Sequence, residues 1–178
     1  MTKNQVTCYK GGTIMVMQKI LLVDPEKCTG CRSCESACSL FHEKSINPAL
    51  AHIHIVKMET SGLYIPIVCL QCEKPICQDV CPVKAIKRDQ KTGAVLIDTD
   101  ICVGCRLCAI YCPFAGPRIN PKNGKPLKCD LCNGDPTCVK FCEPKAIQYV
   151  DATQANMIKR KNAALRFSEL VKNLLGTL

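Results

Sequence analysis

Short apolar stretches separated by turn residues make up most of the first 150 positions of the chain. Runs of this length, rich in branched aliphatic residues and bounded by Gly, Pro or Asp, predict short β-strands. The predicted strands span residues 20–23, 51–59, 64–68, 94–97 and 146–150. Hairpin turns are predicted at 91–93 and 61–62. One-turn helices are expected inside and just after the groups of cysteines.

A different pattern begins after Val150, where apolar residues recur every three to four positions, as on one face of an amphipathic helix. These residues are Met157, Ala164, Phe167, Val171, Leu174 and Leu178, with Leu165, Leu170 and Leu175 beside them. We expect this helix to pack on a partner subunit, or on a second copy of the chain through 155–178, rather than on a membrane. The alternative is that it folds back on the core of its own chain.

Composition argues against an ordinary side-chain core, because the 178 residues include 17 cysteines, four Phe, four Tyr and no Trp. The odd cysteine count and the lack of a recognisable cleavable leader argue against a disulfide framework. Reduced thiols in the cytoplasm are expected instead. No apolar run reaches the roughly 18 to 20 residues that a membrane span needs.

Sixteen of the cysteines form four groups of four, numbered here in chain order. Groups 1 and 3 share the spacing C-x2-C-x2-C-x3-C, whereas the middle gap has four residues in group 2 and five in group 4. The groups are Cys28, Cys31, Cys34 and Cys38; Cys69, Cys72, Cys77 and Cys81; Cys102, Cys105, Cys108 and Cys112; and Cys129, Cys132, Cys138 and Cys142.

The sequences that flank the groups alternate as well. Groups 1 and 3 follow an apolar run that ends in Asp ("ILLVD", "AVLID"), and groups 2 and 4 precede "KAI". This repetition predicts an internal duplication, with halves at 28–90 and 102–150. The predicted domains are a flexible tail at 1–17, a cysteine-rich domain at 18–150 and a helical extension at 151–178.

The cysteine spacing favours iron–sulfur clusters over zinc. Three cysteines at i, i+3 and i+6 can wrap three corners of a cubane, and the last cysteine of such a run usually serves a neighbouring cluster. Cysteines four apart on a short helix lie about 6 Å apart along its axis, slightly more than one turn of 5.4 Å, so one turn can join two clusters. Zinc sites do not require three cysteines within seven to ten residues followed by a fourth, repeated four times. The sequence therefore predicts four [4Fe–4S] clusters.

The formal net charge of +9 at pH 7 counts every cysteine as neutral. Taken alone, it would suggest nucleic-acid or membrane binding. Four oxidised clusters with their thiolates would contribute about −8, which leaves a net charge of about +1. Few aromatic side chains are available to stack on bases, so nucleic-acid binding is not expected.

The segment "CPVKAIKRDQKTGAVLIDTDICVGCRLCAIYCP" resembles a bacterial two-cluster ferredoxin. Residues 20–150, including "KCDLC", are similar to the four-cluster electron-transfer subunits of molybdenum or tungsten oxidoreductases, formate dehydrogenases, hydrogenases and carbon monoxide dehydrogenases. The resemblance implies an α+β fold of tandem dicluster ferredoxin-like modules with nested ligation. The implied ligand sets are Cys28, Cys31, Cys34 and Cys142; Cys69, Cys72, Cys77 and Cys112; Cys102, Cys105, Cys108 and Cys81; and Cys129, Cys132, Cys138 and Cys38.

Several residues outside this pattern have more than one possible role. Cys8 is expected to be a free thiol in the tail, and the three histidines, at positions 42, 52 and 54, are expected on the surface. Basic side chains beside the cysteines either raise cluster potentials or are ordinary solvated charges; they are Arg32, Arg106, Lys74 and Lys128. The insert 39–68 either covers a cluster or forms a partner surface.

The chain shows no Gly-rich dinucleotide loop and no nucleophile with an adjacent base. We therefore expect a non-catalytic electron-transfer subunit of a cytoplasmic oxidoreductase in anaerobic metabolism. An aldehyde oxidoreductase of the tungsten type is the leading partner, followed by a hydrogenase or carbon monoxide dehydrogenase. A flavin subunit or a soluble ferredoxin is the expected external carrier. The alternatives are a free diffusible polyferredoxin and an iron–sulfur redox regulator.

Overall fold

The computed structural model describes residues 9–10, 13–14 and 18–175, and within these ranges the chain forms ten short strands and five α-helices. The strands are β1 (Tyr9–Lys10), β2 (Thr13–Ile14), β3 (Lys19–Val23), β4 (His54–Met58), β5 (Leu63–Ile67), β6 (Ile86–Arg88), β7 (Val95–Ile97), β8 (Arg118–Ile119), β9 (Pro126–Leu127) and β10 (Ile147–Asp151). The helices are α1 (Ser33–Glu43), α2 (Ile76–Asp79), α3 (Leu107–Ile110), α4 (Thr137–Lys140) and α5 (Ala152–Leu175).

The strands pair as five separate antiparallel ladders: β1 with β2, β3 with β10, β4 with β5, β6 with β7, and β8 with β9. The pairing of β3 with β10 joins the beginning of the cysteine-rich region to its end. Two-stranded ladders have little stability of their own in water. The described part of the chain must therefore be organised by what lies between the ladders.

Two of these ladders are built in the same way and bring the cysteine groups together in pairs. The Asp98 N–H donates to the Ala85 carbonyl at the end of β6–β7, and the Asp24 N–H donates to the Ala146 carbonyl at the end of β3–β10, both at 2.8 Å. The strand after group 2 thus pairs with the strand before group 3. The strand after group 4 likewise pairs with the strand before group 1.

Helix contacts follow the same pairing, because α1 packs against α4 and α2 packs against α3. The helix of group 1 has 11 residues, whereas that of group 3 has four. The difference follows from the residue after each last cysteine, which is Ser39 in group 1 and Pro113 in group 3. Proline cannot continue a helix, while Ser39 is fully buried within α1 and its Oγ accepts the Asn47 N–H at 3.1 Å.

The buried core consists mainly of aliphatic side chains interleaved with cysteine. A larger cluster contains Leu21, Ile53, Leu131 and Ile147 together with cysteines of groups 1, 2 and 4. A smaller cluster is centred on Ile86 and contains cysteines of groups 2 and 3. The apolar core is therefore divided among the positions where cysteines meet.

The insert between groups 1 and 2 covers cysteines of group 1. It forms the β4–β5 hairpin, which turns through Gly62 as predicted. Ile55 of β4 is buried, and Ile55 and Pro66 line a cavity that contains Cys28 and Cys34. At least one face of the insert therefore shields this cavity from water.

Helix α5 packs on the domain through a face that the sequence pattern did not indicate. Ala155 is buried, and Ile158 and Asn162 line a cleft of about 350 Å³ against β3. Arg166 Nη2 lies 2.8 Å from Glu26 Oε1. These four helix residues follow one another every three to four positions, so they share one side of the helix.

The predicted apolar stripe lies on the opposite side of α5. Met157 is 71% exposed and Phe167 is 68% exposed, so these two residues of the stripe lie on the surface while the helix packs through its other face. Leu178 lies outside the described residues, as does Cys8. Of the predicted tail at 1–17, the described residues are β1 and β2, which pair with each other.

None of the helices in the described part of the chain combines the length and the apolar character needed to cross a membrane.

Replacing Gly30 or Gly104 by alanine should decrease stability for two separable reasons, the backbone conformation at both positions and a steric clash at Gly30. Their φ angles are +69° and +71°, so a Cβ costs roughly 1 kcal/mol at either position, which corresponds to a decrease of about 2–4 °C in the apparent melting temperature. At Gly30 a Cβ would also lie 2.7 Å from the Tyr64 ring, whereas its nearest neighbours at Gly104 are 3.8 Å away. We expect the decrease for Gly30→Ala to be at least twice that for Gly104→Ala.

Thermal unfolding followed by circular dichroism measures this difference. The control is Gly30→Ala in a Tyr64→Ala background, where the steric part of the cost should disappear. Equal decreases for the two single variants would contradict the contact with Tyr64.

Candidate metal centres

The four cysteine groups share one local backbone conformation. The residue before the second cysteine is left-handed in each group: Gly30, Gln71, Gly104 and Leu131 have φ of +69°, +52°, +71° and +60°. This conformation directs a backbone N–H toward the first cysteine, as where the Gln71 N–H donates to Cys69 Sγ at 3.4 Å. The short C-x2-C spacing therefore folds into a loop whose amides face sulfur.

Three cavities are each lined by four cysteines, three from one group and the last from another group. We name them site A, site B and site C. Site A contains Cys28, Cys31, Cys34 and Cys142; site B contains Cys69, Cys72, Cys77 and Cys112; and site C contains Cys102, Cys105, Cys108 and Cys81.

The four remaining cysteines of the groups form site D. Burial raises the pKa of the Cys138 thiol, and the neighbouring Cys129, Cys38 and Cys132 raise it further. Cys34 of site A contributes to the same increase, so sites A and D are neighbours. The structure thus brings together each of the four sets of thiols that nested ligation would require.

Site B links site D to site C. Burial is the main cause that raises the pKa of Cys129 in site D, and Cys69 of site B adds to it. Burial likewise raises the pKa of Cys108 in site C to about 11, and Cys77 of site B is the largest contribution from another residue. Contacts agree with these links. Helix α1 carries Cys34 of site A and Cys38 of site D. Gln71 bonds both Cys69 Sγ and the Cys129 carbonyl, and α2 packs against α3. The sites therefore follow one another in the order A, D, B, C.

Exposure differs along this series. All four cysteines of site D are buried. Cys31 in site A and Cys105 in site C are exposed, and both are the second cysteine of their group. The two ends of the series thus reach the surface, while the site next to site A is covered.

Backbone amides also face the last cysteine of three groups. The Ala85 and Gly116 N–H groups each donate to the sulfur of the cysteine four residues earlier, at 3.3 Å. At Cys38, where α1 continues, the His52 N–H from the insert donates to the sulfur at 3.2 Å. The insert therefore supplies a hydrogen bond that the local loop supplies in groups 2 and 3.

The donor sets fit a cationic metal–sulfide core. Burial raises the pKa of Cys34 to about 12 and that of Cys38 to about 11, so these thiols remain protonated near neutral pH unless cations compensate their charge. Gly116 lies against site B, where an added Cβ would be 3.2 Å from Cys69 Cα and 3.7 Å from Cys112 Sγ. Only glycine leaves that wall of the site open.

The expectation of surface histidines is wrong for His52. The rings of His42 and His52 stack with centroids 4.0 Å apart. Burial, and next the charge of His42, lower the pKa of His52 to about 4. His42 Nε2 lies 3.4 Å from Asp130 Oδ1 and 3.9 Å from Cys132 Sγ, so the stacked pair forms part of the wall of site D.

A buried carboxylate beside site A was not singled out by the sequence. Glu35 is fully buried and accepts the Ile55 N–H at 2.9 Å, while His54 Nδ1 lies 2.7 Å from the same oxygen. Arg32 Nε lies 2.8 Å from the other oxygen. Glu35 thereby fastens α1 to β4 next to Cys34. An acidic residue within a cysteine group was the available signal.

The four basic candidates have different surroundings. Arg32 is paired with Glu35, and Lys74 and Arg106 are exposed. Lys128 is buried. Among these four basic side chains, Lys128 alone is therefore shielded from water.

Comparison with known proteins identifies the type of centre. A family model described as a 4Fe-4S dicluster domain matches residues 60–152, and one described as a 4Fe-4S binding domain matches residues 19–40. The aliphatic sulfonate oxidoreductase polyferredoxin-like subunit of Pyrococcus furiosus is 41% identical over 122 residues, which cover 68% of this chain and 70% of that protein.

Two further similarities were found. A subunit of the anaerobic dimethyl sulfoxide reductase of Escherichia coli K12 is 32% identical over 155 residues, which cover 76% of this chain and 74% of that protein. A polypeptide of the active site complex BamBC of benzoyl coenzyme A reductase matches 88% of this chain and 96% of its own length, with 25% identity and a TM-score of 0.44.

The dicluster model spans more than half of the chain, and both curated relatives are matched over more than two thirds of their length. The chain therefore belongs to the 4Fe-4S dicluster family of iron–sulfur electron-transfer subunits.

Proposed function

We propose that the chain binds four [4Fe–4S] clusters, one in each of sites A to D, and is the non-catalytic electron-transfer subunit of an oxidoreductase. The observation that carries this proposal is the series of four-thiol sites in the order A, D, B, C, as given by the cavity linings and by the contacts between the elements that carry the cysteines. Exposed Cys31 and Cys105 at its ends provide two places for redox partners to approach. A storage or structural metal site would not need such a series.

The residues of the chain have separable roles in this proposal. Bound clusters supply one-electron redox chemistry, with potentials set by hydrogen bonds to sulfur, burial and nearby charge. The thiols of each set would fix the position of a cluster. The amides of Ala85, Gly116 and His52 stabilise negative charge on sulfur. Aliphatic side chains packed against the cysteines exclude water.

The names of the relatives support an oxidoreductase as the partner. One similar protein is a subunit of an aliphatic sulfonate oxidoreductase, and another is a subunit of dimethyl sulfoxide reductase. We propose that the catalytic partner is a molybdenum or tungsten oxidoreductase, with a tungsten-type aldehyde oxidoreductase as the specific candidate. Metal analysis of the co-purified complex for tungsten and molybdenum tests this choice. A partner without either metal, such as a hydrogenase, would contradict it.

The exposed stripe of α5 is the proposed contact with this catalytic subunit. Met157 and Phe167 are more than half exposed, on the side of the helix that faces away from the domain. Burying such side chains at an interface stabilises association by about 25 cal/mol per Å² of apolar surface removed from water. The stripe can be covered without displacing the contacts of Arg166 with Glu26.

The nested arrangement predicts which cysteine replacements act on the same cluster. Anaerobically purified protein should contain about sixteen Fe per chain. Cys34→Ala and Cys142→Ala should alter the same electron paramagnetic resonance (EPR) signal, because both thiols line site A. Cys38→Ala should alter a different signal, although Cys38 is closer to Cys34 in sequence.

Iron analysis and EPR during a redox titration measure these outcomes. An unchanged second signal in each variant serves as the internal control for folding. If Cys34→Ala and Cys38→Ala removed the same signal, or if the purified chain contained only zinc, the proposal would be wrong.

Charge on the α5 stripe should weaken assembly with the catalytic subunit. The double variant Met157→Asp/Phe167→Asp is expected to decrease the amount of catalytic subunit that co-purifies by at least tenfold. The matched control is Lys161→Asp/Lys172→Asp, which changes more charge at exposed positions of the same helix but leaves the stripe intact. Unchanged co-purification, or dissociation of a homodimer instead, would contradict this contact.

A further inference from the structure

Lys128 is a buried cation without an acidic partner. Its side chain is only 6% exposed. Nζ donates to the Val95 carbonyl and lies 3.4 Å from Gln71 Oε1 and 3.5 Å from the Cys129 carbonyl. None of the ion pairs within the described ranges includes Lys128. Since burying an ammonium group is costly, a compensating negative charge is expected close to it.

Gln71 holds this ammonium group between two sites. It is 1% exposed, its Nε2 donates to the Cys129 carbonyl at 2.8 Å, and its Oε1 accepts the Val95 N–H at 2.8 Å. The Gln71 N–H meanwhile donates to Cys69 Sγ in site B. The Gln71 side chain thus connects sites B and D and restricts where the Lys128 side chain can lie.

The Lys128 side chain faces site B. Lys128 and Val95, whose carbonyl accepts a hydrogen bond from the Lys128 ammonium group, both line the site B cavity, which has a volume of about 240 Å³. All four cysteines of site B line the same cavity, and no cysteine of site D does. Although Lys128 is adjacent in sequence to Cys129 of site D, its side chain therefore lies against site B.

We infer that Lys128 raises the reduction potential of the cluster in site B relative to the cluster in site D. Reduction adds negative charge, and a fixed cation stabilises that charge most where water does not screen it. Lys128 thereby sets the potential step between sites D and B, where the two halves of the series meet. This inference rests on the proposed function, because it requires clusters in both sites.

The test replaces Lys128 in the fully loaded protein. Lys128→Met removes the charge and the donor, whereas Lys128→Gln removes the charge but keeps an amide donor. The matched control is Lys74→Met, which removes an exposed lysine from the rim of the same cavity. The measurement is a potentiometric titration followed by EPR, with the site B signal identified as the one altered by Cys77→Ala.

Both Lys128 variants should lower the ratio of reduced to oxidised site B cluster about tenfold at a fixed potential, which equals about 59 mV for a one-electron couple. The other signals should shift less. Lys74→Met should change the site B ratio less than threefold, because water screens an exposed charge. A site B shift below threefold in iron-loaded Lys128 variants, or an equal shift in Lys74→Met, would overturn the inference.

If Lys128→Met and Lys128→Gln lose iron, a third variant decides between the two explanations. This variant is Lys128→Arg, which keeps the positive charge. Retained iron and an unchanged site B potential in Lys128→Arg would support the electrostatic role. Loss of iron in Lys128→Arg as well would assign Lys128 to packing and overturn the inference. Wild-type protein without iron would instead contradict the proposed function, so the two failures are distinguishable.

Discussion

The repulsion among thiolates gathered in buried sites is the constraint on which the rest of the structure depends. Burial and neighbouring sulfurs together raise thiol pKa values, as at Cys34 and Cys138, so the ligating form is unfavourable without bound cations. Two features near the sites reduce this cost, because amide donors face sulfur and Lys128 faces site B. Glu35 acts in the opposite direction, since its charge raises the pKa of Cys34. The absence of tryptophan in the sequence agrees with a core whose volume is divided among metal centres.

Much of the fold could be predicted because the cysteines of a metal site occur at regular spacings in the sequence. The predicted strand at 20–23 corresponds to β3, and the one at 146–150 corresponds to β10 within one residue. Strand β6 was missed, whereas β7, which is equally short, was predicted, because β7 consists of three apolar residues and β6 has only one, Ile86, followed by Lys87 and Arg88. Cysteine spacing indicated the loops, and the resemblance to known subunits suggested how the groups cross.

The remaining features depend on contacts between distant segments. Lys128 and Gln71 are 57 positions apart, and neither side chain carries a sign of burial in a linear pattern. His52 was assigned to a strand surface because it alternates with His54, but β4 begins only at His54. On α5 the sequence identified the apolar stripe correctly as a face of a helix. It could not indicate that Ala155, Ile158 and Asn162 would make the contact with β3.

The crossing of the cysteine groups also orders events during synthesis of the chain. Sites B and C draw all their thiols from positions 69–112, whereas sites A and D each need a thiol from both the beginning and the end of the cysteine-rich region. As the polypeptide leaves the ribosome, the middle pair has its full complement of sulfur once residue 112 has emerged. The outer pair must wait for Cys142, while Cys28 has been exposed to the cell for more than a hundred residues of translation. Nascent thiols of the first group are thus the ones that most need protection from oxidation and from the wrong metal.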